Sequence, residues 1–364
     1  MKIFQSTLFY LPITGGQEVY VSKLSSVASF VGDSNVVQPR YGIGKKNELK
    51  DGINISYINL PRGLARLNEL LPYLFFKFLF KFFYKKNISK GSKLIYHYSS
   101  LYISGLHPIK NTIVISHGRD WNSKTWSGRY KIKSLMNAFN DGVTLVCNDL
   151  DVPNFIINKL GISVKLTNDD NVYKNLIYLP NCYEASLFKP NSDKKREYIL
   201  MVRNIRKSRG LNLAIKGYSN YVKSGGLLDF KIVGGPLTGK YYTELQNLIK
   251  DQGLSKRVYF EGVVSRDKMP SLYENAALSI VPSLAYEGTS ISALESMASG
   301  CPCLSTRVGG LNDLPTIKFD DEADLGLKIK KHLNDDPLKV AETVKKFSSE
   351  VWCKKWEEIL KLTE

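Results

Sequence analysis

Paired cysteine spacing is missing from this 364-residue chain. Its five cysteines, Cys147, Cys182, Cys301, Cys303 and Cys353, follow neither the CxxC pattern of a metal site nor a disulfide framework. With 43% hydrophobic residues the chain needs no such staples, and a reducing cytosol is the expected setting. Long apolar runs are missing too, since none approaches the roughly 18 uncharged residues of a spanning helix. The opening "MKIFQSTLFYLP" soon meets Pro12 and "TGG", so it reads as a first strand and not as a signal peptide. Neither a short-period repeat nor a low-complexity tract occurs. Acidic residues are scarce, 34 against 51 basic ones. The formal net charge of +17 asks for an anionic partner, whether nucleic acid, acidic lipid or a phosphorylated small molecule.

What is present is alternation. The strand-like runs "KIFQSTLFY", "ISYINL", "KLIYHYS", "TIVISHG" and "VTLVCN" are separated by helical patterns that include residues 17–30 and 125–138. A second set, "REYILMVR", "LDFKIVGG", "KRVYFEG", "ALSIVPS" and "CPCLST", brackets helical stretches near 211–223, 238–252, 267–276 and 290–299. That order predicts βα units on parallel sheets. Single cores seldom grow past roughly 250 residues, so the length predicts two domains. The polar stretch 184–195 with Pro190 reads as their connector. The expected architecture is α/β, with two Rossmann-like doubly wound domains facing a cleft, residues 1–185 and 186–345. A C-terminal helix over 346–364 follows, its Val351, Trp352, Trp356 and Leu360 spaced to pack back onto the first domain.

Within "YEGTSISALESMASG", Glu287 and Glu295 lie eight positions apart. On a single helix their α-carbons would be roughly 12 Å apart with an angular offset of about 80°, too far to meet. Gly288 permits a tight turn, Thr289 or Ser290 suits an N-cap, and "ISALESMAS" then runs helically to Gly300. Glu287 is thus expected at a strand end and Glu295 inside a helix whose first-turn N–H groups attract an anion. A ligand with a central diphosphate would place one end by each acid, where carboxylates accept well from hydroxyl pairs. The plainer alternative is a Glu287 that favours the helix dipole and a solvated or neighbour-paired Glu295.

Two more loops bear on the choice. "MVRNIRKSRG" brings Arg203, Arg206, Lys207 and Arg209 to the carboxyl end of a strand, as a solvated turn or a phosphate site. "LPITGGQEVYVSKL" sets Gly15 and Gly16 between strand and helix, so the backbone there can approach a ligand, although the full GxGxxG spacing is absent.

Together these residues resemble the retaining glycosyltransferases of family 4, which have the GT-B fold. The likeness is to the E-x7-E motif "EGTSISALE" and its flanking pattern over residues 198–310, ending in Val308, Gly309 and Gly310. In the first half it rests on "TGG", "ISHG" and "LPN". The resemblance implies that Glu295 binds the ribose hydroxyls of a nucleotide sugar and that Glu287 contacts the donor sugar, with Gly288, Thr289 and Ser290 offering backbone donors. Arg203 would meet the diphosphate. Its basic partner, usually lysine before the glycine, is here Arg209 ahead of Gly210, with Lys207 as the alternative. Val264 and Ser265 would touch the base, and His117 would face sugar and acceptor. "LPNCYEASLFKP" departs from the family's Asn-Gly by carrying Cys182 after Asn181.

The implied activity is sugar transfer of the hexosyltransferase type, from a UDP- or GDP-sugar to a hydroxyl of a glycan or lipid-linked acceptor, in bacterial cell-envelope polysaccharide synthesis. No metal and no resident cofactor is expected, and no Asp-x-Asp motif lies near the site. Two alternatives stand beside it: a non-catalytic basic module for lipid or nucleic acid, and an epimerase or phosphorylase of the same fold.

"LPYLFFKFLFKFFYKK", residues 71–86, spaces Lys77, Lys81 and Lys85 four apart among phenylalanines. One reading is a helix buried on its aromatic side. The preferred one is an interfacial helix on an anionic bilayer, which makes the protein cytoplasmic and peripheral at the inner face of the membrane. Nucleic-acid binding is the least favoured, since no recognition fold accompanies the rings.

Overall fold

The computed structural model describes residues 1–8, 16–50, 52–66, 70–119, 121–162, 171–193 and 195–361. The expected glycine site at Gly15 therefore lies outside the described residues, while Gly16 opens a helix. The chain forms two compact units, Met1–Pro180 with Trp352–Glu364, and Asn181–Val351. Within the expected connector Phe188 is buried with Tyr183 and Tyr273, and just ahead of it the Tyr183 N–H donates to the Phe347 carbonyl at 3.1 Å.

In the first unit the strands are β1 (Lys2–Ser6), β2 (Asp33–Tyr41), β3 (Asn47–Lys50), β4 (Ile53–Leu60), β5 (Lys93–Tyr96), β6 (Thr112–Ser116), β7 (Thr144–Cys147), β8 (Asn171–Tyr173) and β9 (Leu176–Tyr178). They make one sheet in the order β3-β4-β2-β1-β5-β6-β7-β9-β8, parallel except for its edge strands β3 and β8. Among the described residues it is accompanied by α1 (Gly16–Val31), α2 (Leu70–Asn87), α3 (Trp126–Asn140) and α4 (Asp151–Lys159). β5 and β6 are buried along their whole length, as parallel strands covered on both faces must be.

The polar run "DSNVVQPRY" was not an obvious strand, yet β2 lies between β4 and β1. Register explains its proline. β1 ends with Ser6 opposite Val37, whose carbonyl takes the Thr7 N–H at 3.0 Å. Pro39 has the parity of Val37, so its missing N–H faces the side where β1 has already stopped.

The aromatic segment splits by face. Tyr73, Phe76, Phe80 and Tyr84 of α2 are buried in the core, and Leu71, Phe75, Phe78 and Phe82 are exposed. Steps of four residues advance 400°, so the three lysines lie along one flank of the helix, drifting about 40° per step. Lys77 turns inward to the Tyr102 carbonyl and the Tyr130 hydroxyl, while Lys81 and Lys85 stay exposed. No helix among the described residues is long and apolar enough to cross a membrane.

The second unit has β10 (Tyr198–Val202), β11 (Asp229–Val233), β12 (Val258–Gly262), β13 (Ala276–Val281), β14 (Cys303–Ser305) and β15 (Ile317–Lys318). Their order is β12-β11-β10-β13-β14-β15, parallel throughout. Its helices are α5 (Leu211–Lys223), α6 (Lys240–Asp251), α7 (Met269–Glu274), α8 (Ile291–Ala298), α9 (Glu322–His332) and α10 (Pro337–Glu342). A last helix, α11 (Ser349–Lys361), carries Trp352, Trp356 and Leu360, all buried; the two indoles meet the ring of Tyr20 edge-on at 5.1 and 6.3 Å. All ten apolar runs read from the sequence contain a strand.

Candidate active site

The second sheet reverses its direction of growth between β10 and β13, and in such sheets the ligand crevice lies beyond the carboxyl ends of the strands at that point. Arg203 is the first residue past β10, and Ser283 and Glu287 follow β13. Arg203 Nη1 donates to Glu287 Oε1 at 2.6 Å and Nη2 to Ser290 Oγ at 2.8 Å. Arg209 Nη1 stands 3.2 Å from the other carboxylate oxygen, which also accepts from the Ser283 hydroxyl.

The Arg203 and Glu287 side chains are only 9% and 11% exposed. Burial pushes the Glu287 carboxyl upward, but Arg203, Arg209 and the Ser283 hydroxyl outweigh it and hold its pKa below the ordinary carboxylate value. Arg209 is lowered, first by burial, with Glu287 opposing and Arg203 and Arg206 adding to the shift. Two guanidinium groups against one carboxylate leave an excess of positive charge that an anion neutralises.

Lys207 takes no part in this cluster. Its ammonium lies 3.1 Å from Glu244, above the Tyr241 ring, on a side chain that is 72% exposed. Lys207–Arg209 is one turn of 3₁₀ helix, whose successive side chains point about 120° apart, so the two cations diverge. Gly210 closes that turn with φ of 71°, and a Cβ there would lie 1.8 Å from the Pro282 carbonyl oxygen. The basic loop is thereby pressed against the end of β13.

The E-x7-E segment is braced from behind. The Gly310 N–H donates to the Glu287 carbonyl at 2.8 Å, and the Asn181 side-chain amide to the Thr289 carbonyl at 2.8 Å. A Cβ on Gly310 would fall 2.6 Å from the Gly288 carbonyl carbon, which is why a small pair follows Val308. Thr289 and Ser290 are buried, and Ser290 is the N-cap of α8 by position. Its hydroxyl accepts from Arg203 and does not cap, so the first-turn N–H groups of α8 lack that side-chain partner.

Glu295 lies inside α8, 3% exposed, and is ion-paired with Arg266. That guanidinium sits 5.0 Å from the Phe188 ring centroid. The two acids therefore answer to different cations, and Glu295 is neighbour-paired. Val264 packs on the core formed by Phe188 and Tyr273, while Ser265 is exposed and its carbonyl accepts from the Lys268 N–H at 3.1 Å.

Residues 183–343 match the family described as glycosyl transferases group 1. The chain carries a glycosyltransferase domain. Mannosylfructose-phosphate synthase of Agrobacterium fabrum is 29% identical over 189 residues, 45% of this chain and 41% of that protein. An uncharacterised glycosyltransferase of Methanocaldococcus jannaschii is 25% identical over 374 residues, 96% of this chain and 93% of its own. The chain spans 41% and 39% of the length of the first curated relatives it matches. An E. coli trehalose-6-phosphate structure bound with UDP-2-fluoro glucose covers 99% of both chains with a TM-score of 0.74 at 11% identity. At that identity the likeness concerns the fold, which is GT-B.

Two residues around the glycosyltransferase domain's cluster escaped the sequence reading. Ser283 and Arg266 carry no local signal, because each is defined by the acid it meets. Asn181 was visible as part of "LPN", but its role as a strut under Thr289 depends on a contact 108 residues away. Among the described residues no three His, Cys, Asp or Glu side chains are grouped to hold a metal.

In the first unit His117 follows β6. Its ring lies parallel to His97 at 5.7 Å and edge-on to Tyr20 at 4.8 Å, and its Nδ1 is 3.2 Å from the Asn148 amide. Burial pushes its pKa from 6.5 down to about 4. The unfolded chain thus binds a proton below pH 6.5 that the fold refuses until about pH 4. This contribution is complete above pH 6.5 and falls as the pH drops through that window. His97 shifts the same way through burial and then through His117. Urea unfolding should lose on the order of 2 kcal/mol between pH 7 and 4.5 in the wild type, and visibly less in His117→Gln.

Proposed function

We propose that this chain is a retaining glycosyltransferase of family 4. It moves a sugar from a nucleoside-diphosphate sugar to a hydroxyl of a glycan or lipid-linked acceptor, at the cytoplasmic face of the cell membrane in envelope polysaccharide synthesis. The observation that carries it is the Arg203–Glu287–Arg209 cluster, net positive and partly buried, beside the start of α8 at the β10/β13 switch point. Binding of UDP-2-fluoro glucose by the E. coli structure supports the donor class.

Breaking the glycosidic bond leaves negative charge on the diphosphate and positive character on the sugar ring. Arg203, Arg209 and the α8 N–H groups stabilise the leaving group as its charge grows. Glu287, kept anionic by its two cations, accepts from donor-sugar hydroxyls, and the departing phosphate helps deprotonate the acceptor on the same face. Glu295 accepts from the ribose hydroxyls in place of, or together with, Arg266. The base lies by Val264 and Ser265, and His117 serves the acceptor side as a neutral imidazole. Lys207, turned to Glu244, is left out of the diphosphate site.

Calorimetry with UDP and GDP, then mass analysis of products from a panel of nucleotide sugars, tests the reading. Anomeric NMR of the product tests retention. An altered nucleotide sugar would mean an epimerase, and a sugar phosphate a phosphorylase. Glu295→Gln should weaken nucleotide-sugar binding about 10- to 100-fold, since hydrogen bonds to a charged group contribute about 1.5–3 kcal/mol, with kcat changed much less. Unchanged affinity would remove Glu295 from the ribose site.

A further inference from the structure

The exposed side of α2 borders a cavity of about 380 Å³ that no step of sugar transfer uses. Its lining includes Lys77 and Lys81 of α2, Lys133 of α3, Tyr130, Phe78 and Ile103. Lys77 gives one N–H to the Tyr102 carbonyl at 2.7 Å and another to the Tyr130 hydroxyl at 2.8 Å, both neutral oxygens, which leaves a third donor. Lys81 and Lys133 are exposed, and none of the three has an acidic partner among the described residues. Three cations lining one cavity without a counter-charge repel one another until an anion enters. Burial and then Lys81 push the Lys77 pKa down to about 8, the mark of a cation without its counter-ion.

Beside this basic mouth, Phe78 and Phe82 are 56% and 58% exposed and meet edge-on at 5.1 Å, continuing a row with Leu71 and Phe75. An apolar ridge flanking an anion-ready hole matches an amphiphile with an anionic head.

We propose that the cavity binds the phosphate headgroup of an anionic phospholipid, with Lys77, Lys81 and Lys133 around the phosphate and Phe78 and Phe82 alongside the acyl chains. This deepens the membrane-face reading above and rests on it. The site converts a general attraction for acidic bilayers into a seat of defined position on the first unit.

Flotation with vesicles of phosphatidylglycerol in phosphatidylcholine, and of phosphatidylcholine alone, tests it on the full chain. Lys81→Ala/Lys133→Ala removes two cavity charges, and Lys85→Ala/Lys86→Ala removes two from the same helix outside the cavity. All four residues are exposed, so folding is unaffected. Two basic residues merely near an anionic surface account for about 30-fold in binding, so the outer pair should cost no more than that, and the cavity pair, seated at the phosphate, at least about tenfold more. Wild-type protein that floats with neither vesicle overturns the membrane-face reading. Wild-type protein that floats with phosphatidylglycerol while both pairs lose binding equally overturns the headgroup site alone.

Discussion

Arg203→Ala is expected to lower kcat/KM for sugar transfer by about 10³-fold or more, the scale seen when a donor aimed at developing charge is removed. Arg203 spans two functions at once. One nitrogen holds Glu287 and the other holds Ser290 at the head of α8, on a side chain only 9% exposed. Under the proposed function, truncation removes a leaving-group contact; in the structure it strips a largely buried carboxylate of its nearer cation. The second effect costs stability, about 3–5 kcal/mol where a buried charge is left wholly unpaired and less here because Arg209 remains. The two effects separate in Arg203→Ala/Glu287→Gln, which should recover much of the melting temperature and none of the turnover. Arg203→Lys keeps the charge but loses the fork, and should stay well below the wild type. Turnover near wild type in a folded Arg203→Ala protein would withdraw this arginine from the reaction.

Gly210→Ala should be the most damaging substitution of a single methyl group in the second unit, destabilising it by at least about 3 kcal/mol. Two costs add. The backbone stands at φ of 71°, where side chains other than glycine are strained, and the new Cβ would lie 1.8 Å from the Pro282 carbonyl oxygen. That oxygen belongs to main chain just past β13, so it cannot swing away as a flexible side chain would. Relief requires lifting the basic loop off the strand end, which moves Arg203 and Arg209 together. Urea unfolding and UDP calorimetry on the same variant should thus fail in concert. A loss below about 0.5 kcal/mol would place the loop elsewhere.

Much of the framework was legible beforehand. Parallel strands covered on both faces have to be continuous apolar runs, and "YILMV" and "ALSIV" announce themselves wherever they occur. The acid pair was legible for a related reason: glycine, N-cap and helix are local features, so Glu287 before α8 and Glu295 within it follow from spacing. β2 was hidden because its tolerance of Pro39 depends on where β1 stops, a fact of register between segments about thirty residues apart.

Composition and spacing alone determined two α/β units, a strongly basic chain and a short list of acids and cations. Tertiary structure decided which of them meet. Arg209 and not Lys207 reaches Glu287, because one turn of 3₁₀ helix sends neighbouring side chains to different sides. Glu295 belongs to Arg266, and Lys77 leaves its row to face two neutral oxygens. The reason is physical: periodicity sets the direction of a side chain relative to its own element, whereas a charge finds its partner only when strand order brings together residues such as Arg203 and Glu287, 84 positions apart.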